Sequence, residues 1–340
     1  MIDTRYDSTK VIAFKYLWYK SATDEHWLVS GGNLWESSRY RHRSDDPETF
    51  LADTSAAVYG GIDGFACSNW TNSGDDAFGS ESTLLSYIRW LESKANPYPD
   101  FKVFVMYELE QGASDPTAAQ ILAMWEYHRA NKFFSPNYMK HRALKKLTGD
   151  YVDAPMFAVY ATGSSARADV WLTALLIYEA IHPGETIYLC LEIWTNFQNW
   201  NNKNYIDCYF KYSPAGDATY CHSQCATVAG NFTSITVMPG FKGSAASPNV
   251  TRSLANYTAA VDVAKSYVNC TAVDSTLNLL YTIDIVFIST FDEMGESSGV
   301  CESPSFPDAS DGRKYSAYLE VTRNAFGPVL VNRYNVCDGG

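Results

Sequence analysis

The sequence predicts an α/β protein: a single (β/α)8 TIM barrel with elaborated loops, formed by residues 1–340. Three observations lead there. Short apolar, β-branched and aromatic runs alternate almost end to end with longer stretches of helical apolar period. Eight of the short runs read as strands. Between them lies no Pro/Ser-rich linker, charge run, internal repeat or low-complexity segment that would divide the chain into two doubly wound domains.

Each element is read from its own residues. The apolar and aromatic run 11–19 (VIAFKYLWY) is the first strand, and the helical pattern 47–59 follows it. Strand 62–70 (IDGFACSNW) leads to helix 81–95, strand 102–110 (KVFVMYELE) to helix 117–131, and strand 154–162 (APMFAVYAT) to helix 166–181. Strand 186–194 (TIYLCLEIW) comes next. The region 195–232 carries Asn clusters and no clear helix. Three further strands are expected near 218–223, 233–238 and 282–291, with helices at 252–268 and 315–326.

A chain of 340 residues that is 46% hydrophobic and 19% charged buries a large core, which argues against disorder, a coiled coil or a disulfide-scaffolded miniprotein. Its formal net charge of -12 repels phosphate backbones and anionic headgroups, so neither nucleic acid nor a membrane surface is an expected partner. No run approaches the roughly 18 apolar residues of a membrane span. The opening Met1-Ile2-Asp3-Thr4-Arg5-Tyr6-Asp7 holds no apolar signal core. No Gly-rich phosphate loop follows any strand, which removes the motif for a dinucleotide or nucleotide site. Aromatic residues make up 15% of the chain; Tyr and Trp join an apolar face to a polar tip and suit both cores and walls that stack on sugar rings.

Eight cysteines, Cys67, Cys190, Cys208, Cys221, Cys225, Cys270, Cys301 and Cys337, form an even, scattered set that permits disulfides. Five N-x-[ST] sequons occur, at Asn69, Asn231, Asn249, Asn256 and Asn269, with four of them between 231 and 269. Together they lead to the expectation of a secreted or lumenal glycoprotein with most cysteines oxidised and two or fewer free thiols. Cys221-His222-Ser223-Gln224-Cys225 gathers three soft ligands, but no second pair answers it, and no metal site is expected.

In such a barrel chemistry collects at the C-terminal ends of the strands. The predicted strands end there in polar or aromatic clusters: Trp18-Tyr19, Asn69-Trp70, Tyr107-Glu108-Leu109-Glu110, Tyr160, Glu192-Ile193-Trp194, and Asp292-Glu293-Met294-Gly295-Glu296. The last is the most informative. The apolar run 283–291 (IDIVFISTF) enters two carboxylates three residues apart, Glu293 and Glu296, with a glycine at 295. Paired carboxyls at a rim suit glycosidic cleavage, where one stays protonated to assist the leaving oxygen and one stays ionised to activate a nucleophile. The same spacing also fits a solvated acidic loop. Gly295-Glu296-Ser297-Ser298-Gly299 matches the G-x-S-x-G nucleophile elbow, but all six histidines (His26, His42, His128, His141, His182 and His222) precede Ser297, so the Ser…Asp…His order cannot be met.

The segment Ile288-Ser289-Thr290-Phe291-Asp292-Glu293-Met294-Gly295-Glu296 resembles the strand-eight motif T-F-N-E-W-[GH]-E-G of glycoside hydrolase family 99, and also the W-N-D-Y-G-E-S of family 71 α-1,3-glucanases. The likeness continues in order along the chain. Phe14-Lys15-Tyr16-Leu17-Trp18-Tyr19, followed by His26-Trp27, is similar to the family-99 opening Y-Y-P-W-Y…H-W. Gly61-Ile62-Asp63-Gly64-Phe65 is similar to G-I-D-G-F, 101–110 to a strand ending in an acidic pair or L-E-P, and Val237-Met238-Pro239-Gly240-Phe241 to a P-G-[FY] turn. Asp292 stands where family 99 has Asn, Met294 where it has Trp, and Ser297-Ser298 where it has Gly-Thr, so the motif falls between the two families.

The resemblance implies a barrel that cleaves an α-linked glycan, an α-mannan-like or α-glucan-like oligosaccharide or polysaccharide, with no metal or organic cofactor. It implies that Glu293 deprotonates the substrate's own 2-hydroxyl to give a 1,2-anhydro sugar, with Glu296 as acid and then base and a net retained product. A family-71-like enzyme would instead activate water and invert. The expected substrate contacts are Trp18, Tyr19, His26, Trp27, Asp63, Trp70, Tyr107, Glu108, Glu110, Tyr160, Glu192, Trp194 and Asp292. Alternatives stand beside these roles: Asp63 as a tether of a strand end, His26-Trp27 as a packed loop pair, and the large rings as core. Glu108 and Glu110 alternate on a strand and therefore face the same side. A barrel that binds glycan without cleaving it is the reading from another class, and oligomeric state is left open.

Overall fold

The computed structural model of the chain describes residues 9–17, 43–69, 80–108, 115–160, 165–192, 200–202, 205–210, 212, 234–240, 253–267, 272–274, 279–281, 285–292, 300 and 317–327. Its strands are β1 (Lys10–Lys15), β2 (Gly64–Asn69), β3 (Lys102–Tyr107), β4 (Lys140–Leu144), β5 (Tyr151–Val159), β6 (Tyr188–Glu192), β7 (Cys208–Phe210), β8 (Ser234–Val237), β9 (Ala272–Asp274), β10 (Leu279–Tyr281) and β11 (Ile285–Ile288). The helices are α1 (Pro47–Tyr59), α2 (Ser80–Leu91), α3 (Ala118–His128), α4 (Ser165–Ile181), α5 (Leu254–Tyr267) and α6 (Ala317–Phe326).

Eight strands pair in parallel in the order β7-β6-β5-β3-β2-β1-β11-β8. The two ends of that path meet where the Ser234 hydroxyl donates to the Tyr209 carbonyl, so the sheet is a nearly closed barrel with helices outside it. The expected (β/α)8 fold is therefore the observed one. Strand β4 pairs antiparallel with β5, and β9 with β10 forms a separate antiparallel pair.

Alternation along each strand separates the inside of the barrel from the outside. Phe14 stacks on Phe287 with centroids 5.0 Å apart, and lies 5.3 Å from both Phe210 and Tyr212 across the barrel. Its register partner Ala66 and the next, Phe104, share that inner face. The other parity meets the helices: Phe65 faces Tyr87 of α2, and Phe157 faces Trp125 of α3 edge-on. Both layers are buried, which is why these strands read as near-continuous apolar runs.

Local chemistry sets the helix starts. Asp46 caps α1 by accepting from Glu48 N at 2.9 Å, with Pro47 in the first turn, where its missing N–H costs nothing. Thr117 and Gln120 form a reciprocal capping box on α3. Helix α3 runs into a π turn, Arg129–Phe133, that buries Lys132.

The motif Gly61-Ile62-Asp63-Gly64-Phe65 is explained by packing at the N-terminal end of β2. Gly61 has φ +75, and a Cβ there would overlap Gly327 O; a Cβ on Gly64 would overlap Lys102 O. Asp63 Oδ2 accepts from Val11 N at 2.7 Å, and the Asp63 backbone bonds Val11 O and Lys102 N. Asp63 thus ties β1, β2 and β3 together at the end away from the strand C-termini.

Two expectations change, and one is only partly visible. The sixth barrel strand is β7, Cys208–Phe210; the stretch 218–223 lies outside the described residues. Three residues are too few to show a period, and the Asn-rich stretch before them reads as loop. Cys67 and Cys208 are buried free thiols, and Cys190, the register partner of Cys208 on the adjacent strand, is buried as well. The other five cysteines, Cys221, Cys225, Cys270, Cys301 and Cys337, lie outside the described residues. Finally, the Asn69 sequon is closed in the folded chain, because Asn69 is completely buried at the end of β2, while Asn256 on α5 is exposed. Among the described residues, no helix is long and apolar enough to cross a membrane.

Candidate active site at the C-terminal mouth of the barrel

Tyr107, Val159 and Leu191 are register partners on β3, β5 and β6. The residues that follow them, Glu108, Tyr160 and Glu192, therefore stand at one level on the inner parity of three neighbouring strands. Backbone bonds hold that rim: Glu108 N donates to Asn69 O and Tyr160 N to Tyr107 O, each at 2.9 Å. Glu108 and Glu192 are 4% and 7% exposed, so two carboxyl groups look into the mouth from a largely dehydrated rim.

Aromatic side chains complete the wall. Tyr160 meets Tyr212 edge-on at 5.0 Å, and the Tyr16 and Tyr212 hydroxyls hydrogen bond to each other. This gives a wall with acceptors, phenolic donors and ring faces, groups of the kind that can bind a polyhydroxyl ligand. A cavity of about 440 Å³ lined by Lys10, Asp63, Lys102 and Met139 lies at the opposite end, against the first residues of β1 and β3, and takes no part in this rim.

Behind the rim, between barrel and helices, Lys15 is enclosed by acids. Its Nζ is 2.6 Å from Asp53 Oδ2 on α1 and 2.8 Å from Asp292 Oδ2, with side-chain exposures of 1%, 4% and 0% for the three residues. Asp292 Oδ1 accepts from Tyr16 N at 2.9 Å, so both of its oxygens are engaged. Burial by itself would lower the Lys15 pKa, but Asp292 and then Asp53 outweigh it and raise the value, keeping the ammonium charged. A second buried chain runs from Asn69 Nδ2 to Glu81 Oε2 at 2.7 Å, from Glu81 Oε1 to Lys132 Nζ, and from Lys132 to His128 Nδ1 at 2.8 Å. Burial, and next the Lys132 charge, push the His128 imidazole well below its usual range, so it is neutral.

Of the residues expected at the site, the structure brings Glu108, Tyr160 and Glu192 together. Asp63 is at the far end of the barrel. Tyr107 has the outer parity and packs on Trp171 of α4 at 5.4 Å; burial and then Asp115 push its hydroxyl up to about 12. Asp292 is a buried strut four residues past the end of β11. Trp18, Tyr19, His26, Trp27, Trp70, Glu110, Trp194, Glu293 and Glu296 lie outside the described residues. Sequence reasoning missed Tyr16 and Tyr212 on the wall, and Lys15 and Asp53 behind it. The available signal was a lysine set among apolar residues in the first strand.

No family model matches the chain, and no curated protein matches it in sequence. Solved structures share its fold. A glycoside hydrolase family 99 endo-α-mannosidase from Bacteroides thetaiotaomicron is similar over 93% of this chain and 98% of that one, at TM-score 0.60 and 15% identity. The structure of such an enzyme from that organism in complex with bis-tris-propane gives 93% and 95%, TM-score 0.59 and 15% identity. A glycoside hydrolase-like protein covers 94% of each chain at TM-score 0.59 and 11% identity. At these identities the likeness is one of fold.

Proposed function

We propose that the protein is a glycoside hydrolase that cleaves an α-linked glycan, with Glu293 and Glu296 as its carboxyl pair. The observation that carries this reading is the position of Asp292. It lies four residues past Ile288, the last residue of the final barrel strand, and directly precedes Glu293 in sequence, in a barrel of the fold found in a family 99 endo-α-mannosidase. Metal and organic cofactors have no part in the proposed reaction.

In the proposed retaining reaction Glu293 takes the proton of the substrate 2-hydroxyl. The freed oxygen attacks the anomeric carbon as the glycosidic bond breaks, and the leaving oxygen receives the proton of Glu296. Water, deprotonated by Glu296, then opens the 1,2-anhydro sugar, and the proton held by Glu293 returns to O2. Each step inverts the anomeric carbon, so the product retains its configuration. Glu108 and Glu192 accept from sugar hydroxyls at the rim, and Tyr16, Tyr160 and Tyr212 give the ring faces. The proposed substrate is an α-mannan-like or α-glucan-like chain cleaved internally, outside the cytosol.

The test is a reducing-sugar assay across a panel of polysaccharides with thermal shift recorded in parallel. Release from an α-mannan or α-glucan supports the reading. Thermal stabilisation without release would identify a glycan-binding barrel, and neither response would contradict both.

A further inference from the structure

We propose that the cavity of about 440 Å³ at the N-terminal end of the barrel binds a small hydroxylated anion, of the size of a sugar acid or sugar phosphate, through the ammonium groups of Lys10, Lys102 and Lys140. The site lies at the end of the strands away from the mouth and does not depend on the reaction proposed there.

Strand register brings the charges together. Lys102 opens β3 and is the register partner of Gly64, which is level with Ile12; Lys10 opens β1 two residues before Ile12. Lys10, Gly64 and Lys102 therefore share the inner parity on three neighbouring strands. Gly64 puts no side chain between the two lysines, and the Met139 methyl lies against it. Lys140, the first residue of β4, lines the same cavity.

These cations are not neutralised by the protein. Among the described residues no carboxylate forms an ion pair with Lys10, Lys102 or Lys140. Lys102 Nζ donates to Pro99 O at 3.1 Å, which leaves two of its three N–H groups for a ligand. Burial lowers the Lys102 pKa; Asp100 opposes that and Lys10 adds to it, so the two lysines sense each other. The carboxylates at the cavity are Asp63 and Asp100, and three ammoniums against two carboxylates leave one net positive charge on a chain whose formal net charge is -12. A protein that repels anions elsewhere draws one here. Asp63 Oδ2 is taken by Val11 N, whereas Asp100 is exposed and placed to accept from ligand hydroxyls.

The walls are fixed by the protein's own bonds. The buried Asn137 amide donates to Pro99 O at 3.1 Å and to Phe101 O at 3.0 Å, and the Tyr138 hydroxyl accepts from Val105 N at 3.2 Å and donates to Met156 O at 3.0 Å. The turn before β3 and the segment 135–139 are thereby locked together, and a preorganised site spends little binding energy on ordering. The volume is in the range of small-molecule sites.

The test is isothermal titration at low ionic strength with glucuronate, glucose 6-phosphate, glucose and inorganic phosphate as probes. The wild type should bind glucuronate or glucose 6-phosphate saturably, about tenfold or more tightly than glucose, with affinity falling as NaCl is raised. Lys10→Met and Lys102→Met keep the aliphatic stem and remove the charge. Each should weaken that binding by about tenfold or more, the usual effect of losing one hydrogen bond to a charged group. If Lys102→Met does not fold, Lys10→Met decides alone. No binding of any anion, equal binding of glucose, or wild-type affinity in the folded variants would contradict the proposal. Inorganic phosphate bound as tightly as glucose 6-phosphate would contradict a hydroxylated ligand.

Discussion

Asn69 donates its side-chain amide to Glu81 Oε2 at 2.7 Å from a completely buried position, and Glu81 in turn pairs with Lys132. A sequon asparagine is thereby converted into a joint between β2 and α2. After expression in a glycosylating host, Asn69 should be unmodified in peptide maps and the exposed Asn256 available for modification. A glycan on Asn69 of the folded protein would contradict the joint. Asn69→Ala should destabilise the fold by about 1–3 kcal/mol, the usual cost of leaving a buried polar partner unsatisfied.

The thiol count is a second outcome. Cys67 and Cys208 are buried and free. They should resist alkylation in the native protein, and at least these two should titrate once the unreduced chain is denatured. Finding fewer than two free thiols would contradict the strand packing of these residues.

The parity of β3 separates residues adjacent in sequence. Glu108 faces the mouth and Tyr107 faces Trp171. Glu108→Gln should weaken glycan turnover by about tenfold or more, since a charged acceptor holds a hydroxyl better than an amide does. Tyr107→Phe and Asp63→Asn should leave kcat/KM within about twofold, because rings and tethers away from the mouth act through packing. Reversal of that order would mean that the faces are exchanged.

The long buried strands were legible in the sequence, because apolar runs need only local residues and these strands run for five or more positions; which parity of β3 faces the mouth was not, and Tyr107 was expected there beside Glu108. Strand β7 was not legible, since Cys-Tyr-Phe carries no period. Nor was the pairing of Lys15 with Asp292, whose partners are 277 residues apart, although a lysine among apolar residues announced that some acid must meet it. Asn69 misled for the same reason: a sequon is a local pattern, and whether its amide is exposed depends on Glu81 and the helix packed over it.

Acid should reveal His128. Burial and Lys132 keep it neutral in the folded chain, whereas an unfolded histidine takes up a proton near about pH 6.5. Below that pH and above the depressed folded pKa, the unfolded state binds more protons. This contribution is therefore unaffected above about pH 6.5 and erodes as pH falls, by up to ~1.4 kcal/mol per pH unit. His128→Gln keeps an acceptor for Lys132 and removes the titration. Denaturant melts between pH 5 and 7.5 should show a shallower loss for the variant; equal slopes would contradict a neutral buried His128.

The most direct measurement is turnover of the same α-linked polysaccharide by the wild-type protein and by Glu293→Gln and Glu296→Gln, with melting temperature recorded for each. The wild type should release reducing ends. Each variant should melt like the wild type and lose about 10²- to 10⁴-fold in rate, the usual cost of removing a general acid or base. Wild-type rates in either folded variant would contradict the assignment of Glu293 and Glu296 as the reacting carboxyls.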